Sequence, residues 1–137
     1  MRGEHMASPD RYTKWYPVTW DQLHRDCRAL SWRLVDIRKW KGVVAITRGG
    51  LIPAAIIARE LDLRLIDTIC ALSYHSTGGE ATSQEEEVEI IKDVARSLDA
   101  DEDWLLVDDL VDTGKTASVV RKMVPKAHFA TVYAKPK

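Results

Sequence analysis

Residues 105–117 hold the densest chemistry in the chain: Leu105-Leu106-Val107-Asp108-Asp109-Leu110-Val111-Asp112-Thr113-Gly114-Lys115-Thr116-Ala117. An apolar run ends in two acids, two apolar residues follow, and a turn of Asp, Thr, Gly, Lys and Thr opens the next segment. The backbone N–H groups and hydroxyls of such a turn, with the dipole of a following helix, form a cradle for a phosphate monoester. Asp108 and Asp109 would repel a phosphate, but carboxylates accept hydrogen bonds from a diol and hold a hydrated divalent cation. A phosphate grip beside a diol grip describes a ribose 5-phosphate. A nucleoside-triphosphate P-loop is excluded, because that pattern needs glycine at position 109, where Asp109 stands. A plain helix cap behind an exposed acidic loop is the bland alternative, and the full order of apolar run, acids and turn weighs against it.

A second loop carries anion chemistry. Thr47-Arg48-Gly49-Gly50 follows a short apolar run. Glycines let backbone amides approach an anion, and Arg48 adds a charged donor. Taken alone, this stretch also reads as a tight turn with a solvated arginine.

The elements that must position these loops follow from periodicity. Residues 19–34 are predicted as a helix, with Thr19 and Gln22 as a capping box and Trp20, Leu23, Cys27, Leu30 and Leu34 on one apolar face. Val43–Ile46 reads as a buried strand, 51–61 as a helix with Pro53 in its first turn, and Leu65–Leu72 as a strand. The polar stretch 74–87, with Gly78-Gly79 and three consecutive glutamates, reads as a mobile loop. Val88–Val94 fits both periods, and a strand is preferred. Trp104–Val107 is a strand, 114–123 a helix and 127–134 the last strand. Alternating strands and helices predict an α/β fold: a mostly parallel central sheet flanked by helices. Ligands in such sheets gather at the carboxyl ends of the strands.

Composition narrows the class. The chain has 137 residues, fitting one domain over 15–137 behind a polar leader or expression scar at 1–14. Lys and Arg number 20 against 21 Asp and Glu, a balance that argues against a general grip on nucleic acid. No apolar run is long enough to span a membrane. Cys27 and Cys70 lack metal-like spacing, so a cytoplasmic chain with reduced, buried thiols is expected.

Residues 105–117 resemble the motif with which type I phosphoribosyltransferases bind 5-phosphoribosyl 1-pyrophosphate. Further segments are similar to bacterial members acting on xanthine and guanine: Val18–Asp21, Trp40–Gly42, Ile46–Pro53, Ala58–Leu61, Asp67–Cys70, Ser73-Tyr74, Pro125–Phe129 and Ala134–Pro136. The resemblance implies that fold and a purine-salvage enzyme that moves 5-phosphoribosyl to a 6-oxopurine base and releases pyrophosphate. It implies that Arg48 and Gly49 bind the pyrophosphate, often through a non-proline cis peptide before the arginine. Asp108, Asp109, Leu110 and Val111 would contact the sugar pyrophosphate, and Asp109 would help position Mg2+. Asp112, Thr113, Gly114, Lys115 and Thr116 match the 5-phosphate loop, and Asp112 matches the catalytic acid near the purine N7. Lys135 matches the lysine that donates to the purine O6, which favours 6-oxopurines over adenine. A homodimer or homotetramer is implied, with Trp32 or Trp40 as exposed contact residues.

Two departures stand out. Residues 74–91 carry Glu80, Glu85, Glu86, Glu87 and Glu89 and no Lys or Arg. Nothing is therefore transferred from the arginine of the family's flexible lid loop. The segment after Lys135-Pro136 is one residue long, so the family's C-terminal hood is expected to be absent. These departures keep an alternative open: a phosphoribosyltransferase-like regulator or sensor that binds the sugar pyrophosphate without turnover. A pyrimidine acceptor is a third option.

Overall fold

The computed structural model describes residues 17–77 and 84–134. The leader 1–14 and Lys135 lie outside the described residues. Thr19 caps the first helix as its type predicts, its hydroxyl accepting the Gln22 N–H at 3.1 Å. Helix α1 then runs Trp20–Val35 and buries Cys27, Ser31 and Leu34. Trp20, expected on the apolar face, is 74% exposed. It sits at the first helical position, ahead of the stretch that meets the core.

Strand β1 (Gly42–Thr47) is followed by helix α2 (Leu51–Glu60), strand β2 (Leu65–Thr77) and strand β3 (Gln84–Lys92). A short 3-10 turn at Arg96–Leu98 leads to strand β4 (Trp104–Val111), helix α3 (Lys115–Met123) and strand β5 (His128–Ala134). The sheet order is β3-β2-β1-β4-β5. β1 pairs parallel with β2 and β4, and β4 parallel with β5; among the described residues only the edge strand β3 runs antiparallel, against β2.

Alternate residues of the central strands feed two cores. Val43, Ala45, Leu105 and Val107 pack with Leu34, Ala54, Ile57 and Ala58, which come from α1 and α2. Val44, Ile46, Trp104 and Leu106 pack with Ile69, Val120 and Val124 on the α3 side. Burial on both faces explains why these strands read as continuous apolar runs.

Two expectations are corrected. Tyr74–Thr77 and Gln84–Glu87, read as loop, are strand; Tyr74 pairs with Glu87, His75 with Glu86, Ser76 with Glu85 and Thr77 with Gln84. The Tyr74 hydroxyl donates to Glu87 Oε2 at 2.7 Å. Cross-strand pairing makes this hairpin, and its polar sequence hid it. Trp40, expected at an exposed contact, is 7% exposed. Its Nε1 donates to the Leu34 carbonyl at 2.9 Å and its ring meets His128 at 5.3 Å. Trp32 is exposed, at 61%. The strand preferred for Val88–Val94 is present within β3 as far as Lys92, and Val94 and Leu98 beyond it pack on the α3-side core. That packing accounts for the competing helical period.

Candidate active site

β2 and β4 lie on opposite sides of β1, so the chain reverses its direction of travel across the sheet between β1 and β4. A crevice opens at the carboxyl ends of two parallel strands at such a point. The two loops singled out in the sequence leave from these ends. Residues 48–50 follow β1, and residues 112–114 follow β4.

The first loop folds back tightly. The Gly50 N–H donates to the Ile46 carbonyl at 2.7 Å, and the Leu51 N–H to the Arg48 carbonyl at 3.0 Å. The Thr47–Arg48 peptide is cis, as the family resemblance implied. Gly49 lies against the acid pair at the end of β4. A Cβ there would meet the Asp109 carboxylate, with its Cγ at 2.8 Å, and Asp108 Oδ1 at 2.9 Å. Only a glycine lets the loop backbone approach both carboxylates this closely.

The second loop ends at Gly114, whose φ of 86° is left-handed. Nothing lies within 4 Å of the position a Cβ would take, so backbone conformation rather than space asks for glycine here. Gly114 is the N-cap of α3 and supplies no side-chain cap; the Lys115 N–H donates to Thr113 Oγ1 at 3.2 Å. The first N–H groups of a helix lack intrahelical partners and favour an anion.

Two cavities meet at this point. One, of about 230 Å³, is lined by Asp108, Leu110, Val111, Asp112, Thr113, Gly114 and Thr116, with Ala117 and Ser73. The other, of about 550 Å³, is lined by Arg48, Gly49, Asp109, Leu110 and Tyr133, with Ile52 and Pro53 of α2 and Val18, Thr19, Trp20 and Leu23 at the start of α1. Leu110 stands in both walls. Asp108 lines the smaller cavity and Asp109 the larger, while both carboxylates lie against Gly49. Lys115 lines neither cavity.

Burial first, and then the Asp109 side chain, push the Asp108 carboxyl up to about 7. The Asp109 N–H, donating to Asp108 Oδ1 at 2.8 Å, pulls the other way. Two carboxylates held against a common glycine attract a cation or the hydroxyls of a polar ligand.

Sequence reasoning missed Ser73, Tyr133 and the α1 wall. Ser73 lies on the hairpin that was read as loop from its next residue onward. Tyr133 and the first turn of α1 reach the cleft by tertiary placement, for which the chain carries no local signal.

The sequence of residues 19–137 matches the phosphoribosyl transferase domain. The chain belongs to the phosphoribosyltransferase family. It is 58% identical over 130 residues to the xanthine-guanine phosphoribosyltransferase of Desulfotalea psychrophila, covering 93% of this chain and 74% of that protein. It is 55% identical over 131 residues to the enzyme of the same name from Nitratidesulfovibrio vulgaris, covering 96% and 76%. The purine phosphoribosyltransferase structure from Pyrococcus horikoshii superposes with a TM-score of 0.68 at 29% identity, over 87% of this chain and 77% of that one. The phosphoribosyltransferase fold read from the sequence is therefore the observed one.

Proposed function

We propose that this phosphoribosyltransferase transfers the 5-phosphoribosyl group of 5-phosphoribosyl 1-pyrophosphate to a 6-oxopurine base: guanine, xanthine or hypoxanthine. The observation that carries this reading is the pair of cavities meeting at Leu110, one walled by the phosphate-type turn and Asp108, the other by Arg48, Gly49 and Asp109. The 5-phosphate belongs in the smaller cavity, on the N–H groups of residues 113–116. Asp108 accepts from the ribose hydroxyls. Arg48 and the Gly49 backbone hold the pyrophosphate. The planar base enters the larger cleft, whose walls are largely apolar.

In the reaction the bond from C1 to the pyrophosphate oxygen breaks and a bond from C1 to the purine nitrogen forms. The protein contributes chiefly position and electrostatics. Arg48 neutralises charge on the leaving group, and Asp112 holds the proton released from the base or stabilises the charge near N7. Lys135, from the residue match alone, donates to O6. The cation that suits the site is Mg2+: such ions use one or two carboxylates and complete their shell with water and substrate oxygens. Asp109 and Asp108, both against Gly49, offer such donors, with Asp109 the assigned ligand. When bound, the ion supplies Lewis-acid stabilisation of the pyrophosphate.

The regulatory alternative gains no support from the named relatives. We take the protein to act in the cytoplasm, in keeping with its two free cysteines, Cys27 buried and Cys70 half-buried. Among the described residues no helix is long and apolar enough to cross a membrane. A homodimer or homotetramer is supported by exposed apolar side chains, Trp32 at 61%, Leu72 at 52% and Ile91 at 55%.

The test is to incubate the protein with Mg2+ and 5-phosphoribosyl 1-pyrophosphate against guanine, xanthine, hypoxanthine, adenine and uracil. Pyrophosphate release with a 6-oxopurine, and far less with adenine or uracil, is expected. Release with none of the five would contradict the transferase reading.

A further inference from the structure

The larger cleft has a wall built from two ends of the chain. On one side stands Tyr133 near the end of β5, and on the other the first turn of α1 with Thr19, Trp20 and Leu23. A short contact ties β5 to α1 just past that first turn. The Tyr133 hydroxyl donates to Asp26 Oδ2 at 2.6 Å, across 107 residues of sequence. That length lies at the short end of the O–H···O range. Both residues are half-buried. Burial, followed by the hydrogen bond to Asp26, raises the Tyr133 pKa, so the phenol keeps the proton it donates.

The position of Asp26 on its helix gives the contact its consequence. Cys27 is the first fully buried residue of α1. The turn that reaches the cleft lies ahead of it and extends beyond the core, with Trp20 74% exposed. The ion pair of α1 with α2, Arg28 Nε to Glu60 Oε1 at 2.8 Å, lies farther along the helix, past Cys27. Asp26 is therefore tied to the sheet at the point where α1 leaves the core and starts to form cleft wall. The ring of Tyr133 is itself part of that wall.

We propose that Tyr133 is a positioning residue for the base: its hydrogen bond to Asp26 sets the spacing between the first turn of α1 and the end of β5, and so the width of the slot that receives a planar 6-oxopurine. The inference rests on the reading that the larger cleft takes the base. It adds a positioning element that neither anion loop supplies, because a slot of set width fixes the tilt of a flat ring.

The experiment is steady-state kinetics of the full chain with each substrate varied in turn, for the wild type, Tyr133→Phe, Asp26→Ala, Asp26→Asn and the double variant Tyr133→Phe/Asp26→Ala. Tyr133→Phe keeps the ring and removes the donor; it should raise KM for the base about tenfold while KM for 5-phosphoribosyl 1-pyrophosphate stays within about twofold. Asp26→Ala should match it, and the double variant should be no worse than either single one. Asp26→Asn retains an acceptor oxygen and should restore the base KM to within about twofold of wild type. An unchanged base KM in Tyr133→Phe overturns the proposal. So does an equal rise in both KM values, which would mean general loosening, or an Asp26→Asn variant as impaired as Asp26→Ala. If Tyr133→Phe fails to fold, the Asp26→Asn and Asp26→Ala pair decides alone. A wild-type chain without turnover on any base would instead overturn the transferase reading, and the proposal with it; a wild-type chain that turns over while the variants behave like it sinks the positioning role alone.

Discussion

Replacing Asp108 by Asn should make the free protein more stable and a poorer enzyme. Burial, and after it the Asp109 side chain, raise the Asp108 carboxyl from an ordinary 3.8 to about 7. A raised value means that the folded protein holds this proton more tightly than the unfolded chain does. Stability is therefore lost as pH rises from about 4 through about 7, and the whole cost is present above that range. Because Asp108 is only half-buried, solvent screening reduces the cost to an order of about 1–2 kcal/mol. Asn removes the charge and keeps an oxygen to accept the Asp109 N–H, now at 2.8 Å. Calorimetric unfolding without metal or substrate should show Asp108→Asn melting roughly 4–8 °C above wild type at pH 8. The advantage should shrink toward acid and vanish near pH 4. With Mg2+ and 5-phosphoribosyl 1-pyrophosphate the order should reverse, because the wild type binds both more tightly and gains the linked stability. A variant no more stable than wild type at pH 8, or one whose advantage does not change with pH, would refute the reasoning about the acid pair.

Three further outcomes follow from the same geometry. Gly49→Ala would drive a Cβ into the carboxylates of Asp109 and Asp108, so it should cost about 1–3 kcal/mol in denaturant unfolding and lower kcat/KM by about a hundredfold. Gly114→Ala meets no atom but must hold a φ of 86°; it should cost about 1 kcal/mol and raise KM for 5-phosphoribosyl 1-pyrophosphate more than it lowers kcat. Asp112→Asn should lower kcat while calorimetric binding of 5-phosphoribosyl 1-pyrophosphate stays largely intact; turnover equal to wild type would remove Asp112 from its assigned role.

How much of this was readable in the chain depended on whether each interaction was local. The strand-turn-helix at residues 104–123 was plain because burial, acids and turn follow one another in order and serve one site. The loop after β1 was also readable as an anion loop, but its closeness to Asp108 and Asp109 was not, because it depends on β1 and β4 lying side by side. The hairpin of β2 and β3 escaped because its outer half is held by strand pairing and by polar contacts such as Tyr74 with Glu87. Trp40 looked like a surface residue in a charged stretch, yet its indole caps the Leu34 carbonyl and packs on His128, contacts that no periodicity encodes. The tie between Asp26 and Tyr133 joins the first helix to the last strand and has no local signature.

In the proposed binding mode the turn after β4 holds a sugar monophosphate, with carboxylates beside it for the hydroxyls. A crystal structure with guanosine 5′-monophosphate tests this most directly. The phosphate is expected on the backbone N–H groups of residues 113–116, the ribose hydroxyls toward Asp108 and Asp109, and the base in the cleft lined by Arg48 and Tyr133. A nucleotide bound elsewhere, with that turn filled by its own side chains, would contradict it.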